Sequence, residues 1–304
     1  MKLALSGFAR LSLSVAFAVA VPMSQPIWAR SLPQFNEALS LTQINLRWFG
    51  NENMEETSQL KDDIATESRV KSIRQHLAEQ QLLSDVMVFE EIVDVKLLAE
   101  GVLENKYRCH SYNRSDENHQ YVVVCVKSQL RFERAPGEKS YALEAVDVSG
   151  GLRPAVHGIV KNQAGKSILH VFAVHLKAAP EYASIRLKQM GIIADYIKSH
   201  DSTVPVVIVG DFNTYGDDAE RISSLLATSQ IEEIPSPEPF SWASSREEFP
   251  RSKFDRTWLS SDLAGKVTMQ NVIGPCSDAD MDVIQDYNRR VSDHCAVKTV
   301  VGLD

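Results

Sequence analysis

Apolar positions along the chain recur with two periods, one suited to strands and one to helices. Pro205 precedes four consecutive β-branched residues, Val206 to Val209, a run that reads as a strand buried on both faces. Leu41–Trp48 alternates and reads as a first strand. Asp85–Phe89 is another, closed by Glu90-Glu91. Tyr107–Tyr112 and Tyr121–Lys127 read as strands on either side of the polar segment 113–120, and Tyr141–Val148 as a further one. Leu152–Val160 and Ser167–Val174 read as a hairpin turning at Asn162–Lys166, with His175 at its end. Helical spacing links Leu60, Ile64, Val70, Ile73 and Leu77, ending near Gln81. It also runs through Glu181–Ser199, where Tyr182, Ile185, Gln189, Met190, Ile193, Tyr196 and Ile197 form an inner stripe. Shorter helices are expected from Asp94 to Ala99 and over Asp218–Ala227. Ser236–Phe249 reads as a surface loop around Trp242, and Phe254–Leu259, Val267–Val272 and Ala296–Val301 complete the strands. About a dozen strands with few helices, and no repeat or linker, predict two packed sheets covered by helices in a single domain.

The first residues do not fit that pattern. Lys2 and Arg10 precede the short apolar run Leu11–Val21, and Pro22–Ala29 follows it. This is the layout of a secretory signal peptide and is too short for a membrane span. Residues 1–29 are therefore expected to be removed after Ala29 (Ala20 is the other candidate), leaving a domain over 30–304. No second apolar stretch is long enough to cross a bilayer. A soluble protein, secreted or periplasmic, is expected. The formal charge is −8 over the chain, and losing Lys2 and Arg10 makes it −8 − 2 = −10. Such a field does not steer a protein to nucleic acid. It still permits a nuclease, because part of the charge belongs to carboxylates that a cation would neutralise. The four cysteines of an exported chain allow two disulfides. Cys109 and Cys125 fall on strands that read as antiparallel neighbours, and pairing them leaves Cys276 with Cys295. No closely spaced Cys/His set suggests structural zinc.

The chemistry lies at the ends of the strands. In an extended segment, Asp211 and Asn213 would point the same way, offering a carboxylate and an amide to a hard cation and the phosphate it carries. The alternative is a plain turn, which Asp and Asn favour. Asn45, Glu91, His175, Asp255, Asp293 and His294 hold similar positions. Each alone has a dull explanation as a turn, salt-bridge or structural residue. Together they offer oxygen ligands for a hard metal and two imidazoles that titrate near neutral pH.

These residues sit in Asn45-Leu46-Arg47-Trp48-Phe49-Gly50, Asp85–Glu91, Arg153-Pro154-Ala155, Phe172–Leu176, Gly210-Asp211-Phe212-Asn213, Phe254-Asp255-Arg256 and Ser292-Asp293-His294. In that order, the chain resembles the endonuclease/exonuclease/phosphatase superfamily, and within it is most similar to secreted deoxyribonuclease I. The resemblance spans Leu41 to Val301. It implies an α/β fold of the α+β kind, a four-layer αββα sandwich of two mixed sheets, with the site at one edge. It implies Glu91 as principal metal ligand helped by Asn45, with Asp293 and Asp211 completing an acidic centre for Mg²⁺ or Mn²⁺, Ca²⁺ being a further possibility. Asn213 would orient phosphate or water, Arg47 and Arg153 would contact phosphate, and Asp255 would fix the tautomer of His294. His294 is taken as base and His175 as acid, an order the sequence does not settle.

Four departures stand out, one being Ala296 where a proline is usual two residues after the Ser-Asp-His triplet. Glu90 replaces the family's usual glutamine. Val93 stands where deoxyribonuclease I has an arginine that grips the minor groove. The glutamate that supports the first histidine has only Glu117, His119 and Gln120 as candidates. The expected function is a monomeric metal-dependent phosphodiesterase acting on DNA, without stable membrane insertion. A lipid or small-phosphoester hydrolase is the alternative, and a non-catalytic, toxin-like binding module is the third.

Overall fold

Strand-forming runs rich in valine and isoleucine have to be covered on both faces, and here two sheets cover each other. The computed structural model describes residues 38–50, 66–112, 120–200, 203–245 and 249–303, all within the compact unit Asn36–Asp304. The segment read as a signal peptide, the polar segment after Gly50, Leu60, Ile64, Glu117 and His119 lie outside the described residues. One sheet has the order β12 (Val267–Ile273), β13 (Ala296–Gly302), β1 (Ala38–Phe49), β2 (Val86–Ile92), β4 (Tyr121–Lys127) and β3 (Tyr107–His110). The other has the order β10 (Ile231–Glu233), β11 (Asp255–Ser260), β9 (Val206–Asp211), β8 (Ser167–His175), β7 (Ala155–Lys161) and β5 (Arg131–Glu133), with the short β6 (Ala142–Leu143) also on β7. The pairs β1/β2 and β8/β9 are parallel and all others antiparallel.

Alternate residues of one strand feed different cores. Val207 and Val209 of β9 pack between the sheets with Val86, Val88 and Val124, whereas Val206 and Ile208 pack outward against Met190, Ile193 and Ile222. The outward cores are closed by helices: α1 (Thr66–Glu79) and α6 (Met281–Arg290) on the first sheet, α3 (Ala183–Ser199) and α4 (Asp218–Ala227) on the second. The result is the expected four layers. Two minor helices, α2 (Val95–Leu97) and α5 (Ser261–Ala264), fill loops. Both expected disulfides are present, and Cys109 and Cys125 are direct cross-strand partners.

Three readings are corrected. The strand expected over Tyr141–Val148 shrinks to Ala142–Leu143, because Asp147 Oδ1 accepts from the backbone N–H of Gly151 and Leu152 and curls the chain into a turn. β5, β10, α5 and α6 were not foreseen. Asp211 ends its strand instead of following it, and Asn213 is left-handed (φ 47°), so that pair is not extended.

A second group of histidines lies under α3, apart from the acidic strand ends. His157 and His170 stack with Phe172 and Tyr196, and neither His157 nitrogen has a hydrogen-bond partner among the described residues. Burial drives His157 down to about 4, against a small opposing pull from Glu138. Burial, then His157 and His200, drives His170 to about 3. Groups held neutral in the fold but free to protonate in the unfolded chain stabilise fully above about pH 6.5, and that contribution falls as pH drops from there toward 4 and 3. Urea midpoints between pH 7.5 and 4.5 will therefore fall for the wild type and much less for His157→Phe/His170→Phe. Equal slopes would show that other groups govern acid stability.

Candidate active site

The topology itself gathers the polar strand ends. Parallel β1, β2, β8 and β9 present their carboxyl ends at one edge, and antiparallel β11 and β13 begin there. In register, His175 and Asp255 both flank Asp211, while Asn45 pairs with Glu90. Gly210 makes the close approach possible: at its φ of 139°, a Cβ would lie 2.0 Å from Val174 O.

Bulges in β1 and β2 aim the rest. Register shifts between Asn45 and Phe49, and between Phe89 and Ile92, leave Arg47, Trp48 and Glu91 at φ of 41°, 52° and 57°. Left-handed backbone costs an ordinary residue roughly 1–2 kcal/mol, so tertiary contacts must hold it. Arg69 of α1 supplies some of them, donating to the carbonyls of Leu46, Arg47 and Val291. The bulge also separates the two glutamates. Glu91 turns into the site, while Glu90 is fully buried with both carboxylate oxygens unpartnered among the described residues. Burial, then Asp255 and Asp211, raises Glu90 well above the carboxylate range.

Asp211 Oδ2 is the hub. Asn45 Nδ2 donates to it at 3.0 Å, and Nε2 of His175 and Nε2 of His294 lie 3.5 and 3.7 Å away. Burial is the main force raising Asp211, to about 7. Asn45 Nδ2 also donates to Glu91 Oε1 (3.1 Å), while its own oxygen accepts from Arg47 N–H (2.9 Å). Its amide therefore orders two carboxylates. Asn213 N–H donates to Asp211 Oδ1 (2.9 Å), and its amide donates to Leu176 O (3.3 Å). These bonds make the turn that Asp and Asn favour, and it holds Asp211 at the strand end.

The histidines are unequal. Asp255 Oδ2 lies 2.8 Å from His294 Nδ1, and Ser241 Oγ accepts from the backbone N–H of Phe254 and Asp255 to fix that carboxylate. Burial alone would lower His294, but Asp255 and then Asp211 raise it well above 6.5. Burial, then Arg153, lowers His175 well below 6.5. The two histidines are therefore pushed in opposite directions, His294 toward its charged form and His175 toward its neutral one. His175 Nδ1 has no partner among the described residues. Gln120, one candidate for its support, bonds elsewhere: its Nε2 donates to Glu91 Oε2 (2.9 Å), and its Oε1 accepts from Arg153 Nη1 (2.7 Å).

Asp293 accepts from Trp242 Nε1 (3.1 Å) and lies 3.8 Å from Arg47 Nε. Burial and then the charge of Asp293 raise Glu91, so two carboxylates face one region and repel. That donor set fits a hard divalent cation. Among the described residues no three His, Cys, Asp or Glu side chains could hold an ion together. Two carboxylates completed by water and phosphate oxygens is a pattern that suits Mg²⁺. Arg69, Trp242 and Ser241 were missed by the sequence reading, because nothing local marks a residue whose partners are distant carbonyls, carboxylates or backbone N–H groups.

Fold and site together define a phosphoester hydrolase of the αββα class. The profile of the Endonuclease/Exonuclease/phosphatase family matches residues 43–294, and the chain belongs to that family. Solved structures share the fold at low identity. D. rerio TDP2 complexed with single-strand DNA product has a TM-score of 0.59 and 17% identity, covering 87% of this chain and 99% of that one. A family protein from Bacteroides thetaiotaomicron gives 0.60 and 15%, over 88% and 98% of the two chains. The human Nocturnin catalytic domain with bound sulfate anion gives 0.59 and 12%, over 89% and 96%. No curated protein matches the sequence.

Proposed function

We propose that the chain is an exported, divalent-metal-dependent phosphodiesterase whose substrate is DNA. The observation that carries this reading is the convergence of Asn45, His175 and His294 on Asp211 Oδ2, with Glu91 alongside. Glu91 and Asp293 would hold the cation, which when bound neutralises charge on the non-bridging phosphate oxygens and acidifies water. Arg47 and Arg153 are the phosphate contacts. His294, carrying its proton, is placed to give it to the leaving oxygen, and neutral His175 to accept one from water. Asp255 holds His294 in the donating tautomer. Asn213 stiffens the turn that presents Asp211.

Export is supported by the two disulfides, which persist in oxidising compartments, and by the signal-like first 29 residues. No helix among the described residues is long and apolar enough to cross a membrane. DNA as substrate is supported by the single-strand DNA product in the TDP2 relative. Val93, in place of a groove-gripping arginine, favours a second reading in which the substrate is a smaller phosphoester. Purified protein incubated with plasmid DNA should nick it with Mg²⁺ and stop with EDTA. RNA, sphingomyelin and a phosphoinositide assayed alongside separate the substrates. Absence of any metal-dependent cleavage of DNA would remove the nuclease assignment.

A further inference from the structure

Gln120 stands just before β4 with 7% of its surface exposed, between two charged groups that the proposed reaction needs apart. Its amide nitrogen donates to Glu91 Oε2 and its amide oxygen accepts from Arg153. A glutamine is suited to that gap because one end of the amide donates and the other accepts, and the flanking charges fix which is which. Glu91 also accepts from Asn45 Nδ2 on Oε1 and from Trp48 N–H on Oε2, and His175 Nε2 lies 3.8 Å from Oε1. Arg153 also reaches His175 O through Nε (3.4 Å), which keeps it at the hydrolytic edge.

A guanidinium and a carboxylate bonded to the two ends of one amide would, without it, favour a direct bidentate pair. Closing that pair would occupy the oxygens of Glu91 and turn Arg153 away from an incoming phosphate. We propose that Gln120 is a positioning residue, an amide spacer that keeps Arg153 from collapsing onto Glu91. Glu91 then remains open to a divalent cation and Arg153 to a phosphate. The inference rests on the roles given above to Glu91 and Arg153. It requires no proton transfer by Gln120 and no contact with substrate.

Two binding measurements test it without turnover: Mn²⁺ titration followed by electron paramagnetic resonance, and calorimetric titration with inorganic phosphate at saturating Mg²⁺. Losing a neighbour that orients a metal ligand costs about 10–100-fold in metal affinity, and Gln120→Leu should show a loss of that order for Mn²⁺ together with weakened phosphate binding. The decisive variant is Gln120→Leu/Arg153→Leu. With the guanidinium gone, Mn²⁺ affinity should rise clearly above that of Gln120→Leu while phosphate binding stays weak. A purely structural defect would not be repaired by a second truncation. Gln120→Asn, one methylene short of spanning both partners, should behave like Gln120→Leu and guards against misfolding of the leucine variant. Wild-type Mn²⁺ and phosphate affinities in both single variants would overturn the spacer, as would a double variant that binds Mn²⁺ no better than Gln120→Leu. If the wild type binds neither Mn²⁺ nor phosphate, the hydrolase reading itself fails and takes the spacer with it.

Discussion

Replacing His294 with alanine should lower kcat for phosphodiester cleavage roughly 10²–10⁴-fold, the range that a positioned acid or base supplies. The size of the loss depends on where its proton is held. His294 is buried, and burial opposes its charge, yet Asp255 at 2.8 Å and Asp211 beyond it raise the imidazolium well above 6.5. The residue should thus remain charged at neutral pH, and activity should fall only as pH rises through that raised value. Asp255→Asn removes the largest raising charge and keeps the shape. The alkaline limb of the kcat/KM profile should then move to lower pH, with kcat reduced. If the limb stays in place in Asp255→Asn, His294 is not the acid. A limb that moves while kcat is unchanged would make Asp255 a modulator of charge only.

Much of the site could be read from the chain because its residues sit at strand ends, and strands are local in sequence. Val206–Val209 specified a doubly covered strand, so Asp211 had to emerge at an edge. His175 followed from the end of a clear hairpin strand, and Ser292-Asp293-His294 from the step into the last one. What was not legible is imposed from a distance. Nothing near Arg47, Trp48 or Glu91 in sequence announces a left-handed backbone; the carbonyls that Arg69 grips come from β1 and from Val291. The helix α6 was hidden because charged residues dominate it, although Asp280 caps its start and Ile284, Tyr287 and Asn288 are buried. Glu90 and Glu91 look alike in sequence, yet the bulge sends one between the sheets and the other to the surface of the site.

Arg186 carries the second large prediction. It was hidden inside the apolar stripe of α3, and it is fully buried there. Its Nε donates to Asp218 Oδ2 at 3.0 Å, and its Nη1 donates to the carbonyls of Lys177 (2.8 Å) and Ala179 (2.7 Å). Asp218 Oδ2 in turn accepts from Tyr215 N–H at 3.1 Å. One guanidinium therefore ties the loop after His175 to the loop after Asp211, the two connections that leave the hydrolytic edge. Arg186→Met should destabilise by about 3–5 kcal/mol, because it strands a buried carboxylate and unpairs carbonyls at the same time. Most of the penalty comes from the abandoned charge and not from lost attraction. Arg186→Met/Asp218→Asn should therefore recover a large share of the stability in urea titrations at pH 7. Turnover should stay low in the double variant, since Lys177 and Ala179 have still lost their donor and the loop behind His175 is no longer held. A double variant no more stable than Arg186→Met would mean that the carbonyl contacts, and not the buried charge, dominate the penalty.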